Sequence, residues 1–245
     1  MSRILFLVYG VASYVAFLAS FLYAVGFVGD ILVPKSIDSG PEGSPWSAAL
    51  IDTSLLLLFA VPHSIMARPS FKQWWTRFVP PPIERSTYVL VSSLTLAFLF
   101  WQWRAISPVV WHLANPFGRL FIHALFWIGW GVVLVSTFLI DHFDLFGLRQ
   151  VWLQATGRPY THVGFRALGF YYYVRHPIML GFLVAFWAAP TMTVGHLLFA
   201  GATTAYILIA LQLEERDLLG FHGEQYRTYR QEVGMLLPLA RIRRP

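Results

Sequence analysis

The sequence predicts an all-α, polytopic membrane bundle, and three observations carry that prediction. Hydrophobic residues make up 57% of the 245 positions, and mean hydropathy is +0.58. Charged residues are only 12% of the chain, where a soluble domain carries about 25%. The apolar residues also fall in long stretches, close to the roughly 20 residues that cross a bilayer.

Six such stretches follow one another: Ile4–Val28, Trp46–Met66, Tyr88–Ile106, Leu120–Ile140, Ile178–Thr193 and His196–Leu213. The first is too long for the core of a signal peptide and lacks a small-residue exit, so it reads as a retained span. The fifth is the shortest uninterrupted run, stopping at Pro190, so this arm is expected to cross only in part. No internal repeat or linker divides the chain. It reads as one domain, 1–245, with apolar helices on the acceptor side over 1–140 and a loop, hairpin and tail over 141–245. "Five to six spans" is the resulting expectation.

The connections set the orientation. Residues 30–45 hold three acids against one Lys, whereas 67–87 carry Arg68, Lys72, Arg77 and Arg85. Residues 141–177 carry four Arg, and the tail has six more. The basic segments belong in the cytoplasm, with both termini. The net charge of +6 is therefore a lipid-facing feature rather than a nucleic-acid footprint. Pro80-Pro81-Pro82 is expected to stiffen the first basic loop. Phe71, Trp74, Trp75 and Phe78 recur at helical spacing before it, as in a short helix lying in the interface. The chain has no Cys, which excludes disulfides and thiolate ligands. His63, His112, His123 and His196 lack partners at ligand spacing, so no metal is expected; His63 reads as a hydrogen-bonded membrane histidine.

The densest polar chemistry lies between Tyr171 and Tyr229. Tyr171-Tyr172-Tyr173-Val174-Arg175-His176-Pro177 opens it, an apolar hairpin follows, and Glu214-Glu215-Arg216-Asp217, Gly223, Tyr226 and Tyr229 close it. A hairpin returns its ends to one membrane surface, so the Arg-His-Pro collar and the acidic cluster meet there. Asp141 and His142 sit where the fourth stretch leaves the membrane on that same side.

This order of residues resembles the C-terminal half of the isoprenylcysteine carboxyl methyltransferase superfamily: Arg-His-Pro, a helical hairpin, Glu-Glu, Gly-x-x-Tyr-x-x-Tyr and a late proline, here Pro238. Further motifs narrow the resemblance. His63-Ser64 with Arg68-Pro69, Glu84-Arg85-Ser86-Thr87-Tyr88 and the run from His142 to Gln150 look like the methanethiol S-methyltransferases. The resemblance covers most of the chain and implies methyl transfer from S-adenosylmethionine to a small thiol, with the site facing the cytoplasm of a bacterial inner membrane. Lipids and the thiol are the partners implied, with no protein partner.

That implied cofactor is a zwitterion bearing a sulfonium and an adenosine. Arg175, with its planar fork, and His176 suit the carboxylate. Glu214 or Glu215, with Glu215 slightly favoured, suits the ammonium or a ribose hydroxyl. Tyr226, Tyr229 and the Tyr171–Tyr173 run, Tyr172 and Tyr173 included, can border the adenine or the sulfonium. Pro177 sets the turn into the hairpin, and Gly181 would allow close approach of a ligand. For the acceptor proton, His142 with Asp141 holding its ring is one expectation, and activation by the charges of the sulfonium and Arg175 is the other. Two rival readings keep different acceptors or none: a lipid or isoprenoid methyltransferase, and a non-enzymatic subunit related to nitrogen-oxide reduction proteins.

Overall fold

A computed structural model describes residues 2–41 and 43–238. Arg241, Arg243 and Arg244, which contribute to the basic tail, lie outside the described residues. Among the described residues, five helices are long and apolar enough to cross a membrane: α1 (Arg3–Gly29), α2 (Pro45–Ala67), α4 (Pro81–Gln102), α5 (Pro116–Ile140) and α9 (Val194–His222). Shorter helices lie between them: α3 (Pro69–Trp75), α6 (His142–Leu145), α7 (Leu148–Ala155), α8 (Pro177–Trp187) and α10 (Glu224–Glu232). The chain is an all-α membrane bundle.

Local chemistry starts these helices as expected. Asn115 caps α5 by accepting from the N–H groups of Phe117 and Gly118, and the Thr193 hydroxyl accepts from His196 N–H at the head of α9. Proline opens α2, α3, α4, α5 and α8, where its missing N–H costs nothing and its φ is already helical. The proline run at 80–82 therefore does something other than stiffen a loop. Pro81 and Pro82 occupy the first turn of α4. Glu84 to Thr87, expected in the loop, is helical, and α4 ends at Gln102 rather than Ile106.

The spans bury small and polar residues beside larger ones and leave many bulky aliphatic and aromatic side chains facing outward, as packing in lipid favours. In α1, Gly10, Ser13 and Ser20 face inward while Val8, Val11, Val15 and Leu22 are exposed. The half of the bundle away from the basic loops has a dry core built on Phe27, Leu99, Phe100, Trp103 and Phe199.

The fifth stretch behaves as its early proline suggests. α8 has 11 residues, a rise of about 16 Å, or half a bilayer core. The remaining distance is covered by extended backbone over 188–193, about 3.3 Å per residue. Helix and extended segment together match the roughly 30 Å that α9 rises from Val194 to Glu215. Extended chain at membrane depth must find partners for its polar groups. It finds them in a ribbon that the sequence reading missed: β1 (Val109–His112) pairs antiparallel with β2 (Thr191–Thr193). Leu113 N–H donates to Pro190 O at 2.9 Å, and the Trp111 indole donates to Ala189 O at 3.1 Å.

Candidate active site

The hairpin does bring its two ends together. Arg175 and Glu215, 40 residues apart, form a buried ion pair in which Nε and Nη2 of Arg175 approach the same carboxylate oxygen at 2.7 and 2.6 Å. Nη1 donates to Arg230 O at 3.0 Å and also to Val233 O. Backbone closes the clamp: Arg175 N–H donates to Gly234 O and His176 N–H to Met235 O, at 2.9 and 3.1 Å. The Arg-His-Pro collar is thus stitched to the tail beyond α10. Glu215 is 2% exposed and Arg175 8%, which a charge pair tolerates only with this number of partners. Arg230 Nε lies 3.2 Å from the second Glu215 oxygen, close enough to attract though off the line of a hydrogen bond.

This geometry changes the expected roles. Arg175 was to offer a free fork to a ligand carboxylate, but most of its donors are already engaged inside the protein. Between the two glutamates, Glu215 is the buried partner and Glu214 the open one, with a side chain 43% exposed and 3.7 Å from His176 Nδ1. His176 also lies 3.3 Å from Glu215 through Nε2. Glu214 is within electrostatic reach of Tyr171, of Tyr206 on α9, of Tyr226 on α10 and of Tyr88 on α4.

Tyr226 and Tyr229 are buried on one face of α10 against Phe165. The Tyr229 hydroxyl donates to Tyr171 O at 2.6 Å, whereas the buried Tyr226 hydroxyl has no partner among the described residues. Burial raises the pKa of both phenols, with Glu215 adding to the rise at Tyr226 and Arg175 opposing it at Tyr229, which is pushed up to about 12. Both are therefore donors at neutral pH. Tyr172 and Tyr173 point away, 55% and 68% exposed, as interfacial rings do. Pro177 is buried at the first position of α8. Gly181 was expected to admit a ligand, but a Cβ there would lie 2.7 Å from Gly129 O on α5. Its missing side chain is taken up by the crossing of α5 and α8.

His142 is buried at the α1–α5–α6 corner beside a cleft of about 280 Å³ lined in part by Asp141, Phe143, Val163 and Arg166. Its ring is stacked on Phe138 with centroids 4.2 Å apart. Asp141 does not hold that ring: its carboxylate caps α6 by accepting from Asp144 N–H at 3.0 Å. Thr137 Oγ1 meets Nδ1 at 2.8 Å instead, and Tyr14 Oη meets Nε2 at 2.7 Å. Burial lowers the His142 pKa against the pull of Asp141.

The structure also gathers residues that the sequence reading left aside. Tyr88 Oη is 2.9 Å from His63 Nε2, Ser92 Oγ is 3.0 Å from His63 Nδ1, and Ser64 Oγ donates to Tyr206 Oη at 3.3 Å. Arg68, at the end of α2, pairs with Asp217 of α9 at 2.7 Å. The available signal was the i, i+4 spacing of Tyr88 and Ser92 within the third apolar stretch, which puts the two on one helix face.

No family model matches the chain, and no solved structure matches it. Named relatives do. The methanethiol S-methyltransferase of Mycobacterium tuberculosis is 59% identical over 97% of this chain and 98% of its own length. That of Pseudomonas deceptionensis is 54% identical over 96% and 90%. Nurim of Rattus norvegicus is a more distant relative, 32% identical over 83% and 88%. With near full-length identity above one half, and with collar, hairpin and acidic pair brought into one buried clamp, the chain belongs to the methanethiol S-methyltransferase family.

Proposed function

We propose that this protein transfers a methyl group from S-adenosylmethionine to a small thiol, methanethiol foremost, at the basic, cytoplasmic face of a bacterial inner membrane. The observation that carries the reading is the pairing of a rigid buried clamp, Arg175–Glu215, with two unspent polar groups beside it: the open carboxylate of Glu214 and the orphan hydroxyl of Tyr226. An unpartnered buried hydroxyl is costly, and a ligand with hydroxyl or carboxylate groups removes that cost. These groups fit a zwitterionic nucleoside. Glu214 takes the ammonium, while Tyr226 and His176 take a ribose or carboxylate oxygen. Arg175 acts as a positioning residue, holding Glu215, the collar and the tail in register, and Pro177 fixes the entry of α8. Tyr229 is the wall that carries Tyr171. Tyr172 and Tyr173 anchor the site in the lipid interface.

When bound, S-adenosylmethionine supplies a methyl group already activated by a sulfonium. The chain then has to position the acceptor, exclude water and receive a proton. The small acceptor is supported by the names of the relatives and by the apolar walls of the bundle.

The test is calorimetric binding of S-adenosylhomocysteine to the purified protein, with product analysis on methanethiol and on a prenyl thiol. Glu214→Gln should weaken S-adenosylhomocysteine about three- to tenfold, the scale of one modest polar contact. No binding by the wild type would favour the non-enzymatic reading, and turnover of the prenyl thiol alone would move the acceptor to the lipid class. A single Cys at Arg166 should be labelled only from the cytoplasmic side.

A further inference from the structure

Most half-buried or buried cations at the basic face of the bundle have a carboxylate of their own. Arg175, Arg68 and Arg149 hold Glu215, Asp217 and Asp144 at 2.6, 2.7 and 2.9 Å. Arg85 and Lys72 differ, since no carboxylate of the described residues comes within ion-pair distance of either. Arg85, near the start of α4, is fixed by its inner nitrogen. Nε donates to Leu145 O at 2.8 Å, and the guanidinium lies 5.3 Å from the Tyr88 ring centroid. Its two terminal nitrogens meet no acceptor among the described residues. Lys72 is half-buried on α3, and its ammonium likewise meets none.

These two cations act on each other. Burial and then Arg85 lower the Lys72 pKa, with Arg68 adding to the fall and Glu84 and Asp217 opposing it. Like charges held together partly out of water are unfavourable until an anion joins them. Trp75 adds a third unmet donor: it lies three residues after Lys72, on the same face of α3, and its buried indole N–H has no acceptor among the described residues. An oxyanion with several lone pairs suits such a set. The opposite charge is close by. The Tyr88 phenol is within electrostatic reach of both Arg85 and Glu214, and the Glu214 side chain is 43% exposed. A bare phosphate would be repelled by Glu214, whereas an α-amino acid brings an ammonium for Glu214 and a carboxylate for the cations.

We propose that Arg85 and Lys72 bind the α-carboxylate of the methyl donor and so select a ligand that keeps its amino-acid end; this deepens the S-adenosylmethionine reading above and rests on it. Arg175 is committed to Glu215 and the tail, so the carboxylate it was expected to take goes to the N-terminal half of the chain. Arg85 meets it with two terminal nitrogens side by side, and Lys72 adds a compact charge. Glu214 takes the ammonium on the same carbon, which leaves Tyr226 and His176 for the ribose. A donor held this way bridges the chain: α3 and α4 bind its carboxylate, and α9 and α10 bind the rest. The site is therefore incomplete without residues 72–85, although the collar, hairpin and acidic pair all lie far beyond them in sequence.

The experiment measures calorimetric affinities of wild type, Arg85→Gln and Lys72→Gln for two ligands. One is S-adenosylhomocysteine; the other is its decarboxylated analogue, which keeps the adenosine, the sulfur and the ammonium. Wild type should bind S-adenosylhomocysteine about 10- to 100-fold more tightly than the analogue, the scale of charge-assisted hydrogen bonds. Arg85→Gln should remove most of that difference by weakening S-adenosylhomocysteine alone, with affinity for the analogue kept within about twofold. Lys72→Gln should show the same selective pattern at about three- to tenfold. A structural defect would weaken both ligands alike. Should Arg85→Gln fail to fold, Lys72→Gln decides, because α3 buries no residue in the core. The proposal falls if wild type does not distinguish the two ligands, or if the variants weaken both alike or neither. It also falls if the variants keep S-adenosylhomocysteine affinity but lose stabilisation by phosphatidylglycerol nanodiscs over phosphatidylcholine ones, which would give the cations to a lipid headgroup. Wild type binding neither nucleoside would instead overturn the function from which the proposal starts.

Discussion

Two histidines in this molecule each meet a phenol, and the two meetings differ in geometry. At His142, Thr137 donates to Leu134 O at 2.6 Å, so Nδ1 carries the ring proton and Nε2 accepts from Tyr14 of α1; the ring is packed among Phe138, Phe143 and Phe146. At His63, Tyr88 Oη lies 2.9 Å from Nε2 and 3.2 Å from Nδ1, so the phenol of α4 sits over the ring face, within electrostatic reach of Arg85 and Glu214. A histidine beside a tyrosine is therefore not by itself a sign of catalysis here. What distinguishes the two is ring geometry and which charges each can reach, and that is a property of helix packing rather than of the motif.

Breaking the clamp should have the largest effect on this contrast. Arg175→Ala leaves Glu215 buried and unpaired and should cost about 3–5 kcal/mol of stability. It should abolish S-adenosylhomocysteine binding while leaving the His142 ¹⁵N signals in place; a shifted His142 signal would show that the two regions are not separately organised. Arg175→Lys should restore little, since the fork that meets Glu215 and two carbonyls is gone.

Next comes His142→Gln, which orphans Tyr14 and Thr137 and should cost about 1–3 kcal/mol. Because burial lowers the His142 pKa, the wild type loses this contribution as pH falls below the ordinary histidine value of 6.5, when the unfolded chain takes up the proton first. The variant should lose that acid-side slope in chemical denaturation. A large loss of turnover in this variant that is rescued at alkaline pH would make His142 the acceptor of the thiol proton.

Tyr229→Phe should cost about 1 kcal/mol through the lost bond to Tyr171 O. The sign of its pH dependence is opposite to that of His142: a phenol raised from 10.0 to about 12 keeps its full contribution below pH 10 and loses it as pH climbs toward 12. The alkaline limb of the stability curve should flatten in the variant. Smallest of all is Tyr226→Phe. Removing a hydroxyl that has no protein partner should leave unfolding unchanged while S-adenosylhomocysteine affinity falls about fivefold, the value of a modest hydrogen bond. Equal affinity would remove Tyr226 from the ligand site.

Much of this was legible in the chain, for reasons that can be named. Apolar length marked the spans because a bilayer demands it, and Pro190 marked the short arm because proline cannot continue a helix through it. The collar and the acidic pair could be brought together without coordinates because a hairpin has only one place to return to. Three particulars were not legible. Pro80-Pro81-Pro82 reads equally as a stiff loop and as a helix start, and choosing the first left Glu84 to Thr87 outside the helix. Asp141 beside His142 reads as a dyad, yet φ of 139° at Asp141 turns its carboxylate to the α6 N–H groups. Arg175 reads as a free fork, and only the fold of the tail shows where its donors go.

The sequence by itself therefore determined the solvent of this protein, its fold class, the two faces of its bundle and the family to which it belongs, since each depends on composition, length or order along the chain. The tertiary structure alone decided which glutamate is buried and which stays open, which histidine stands beside the charged layer, and that the fifth arm is half helix and half strand. Those outcomes depend on contacts between α2, α4, α5, α8 and α9, where one turn of helix or the absence of one side chain at Gly181 changes the partner. Such contacts have no period in the sequence.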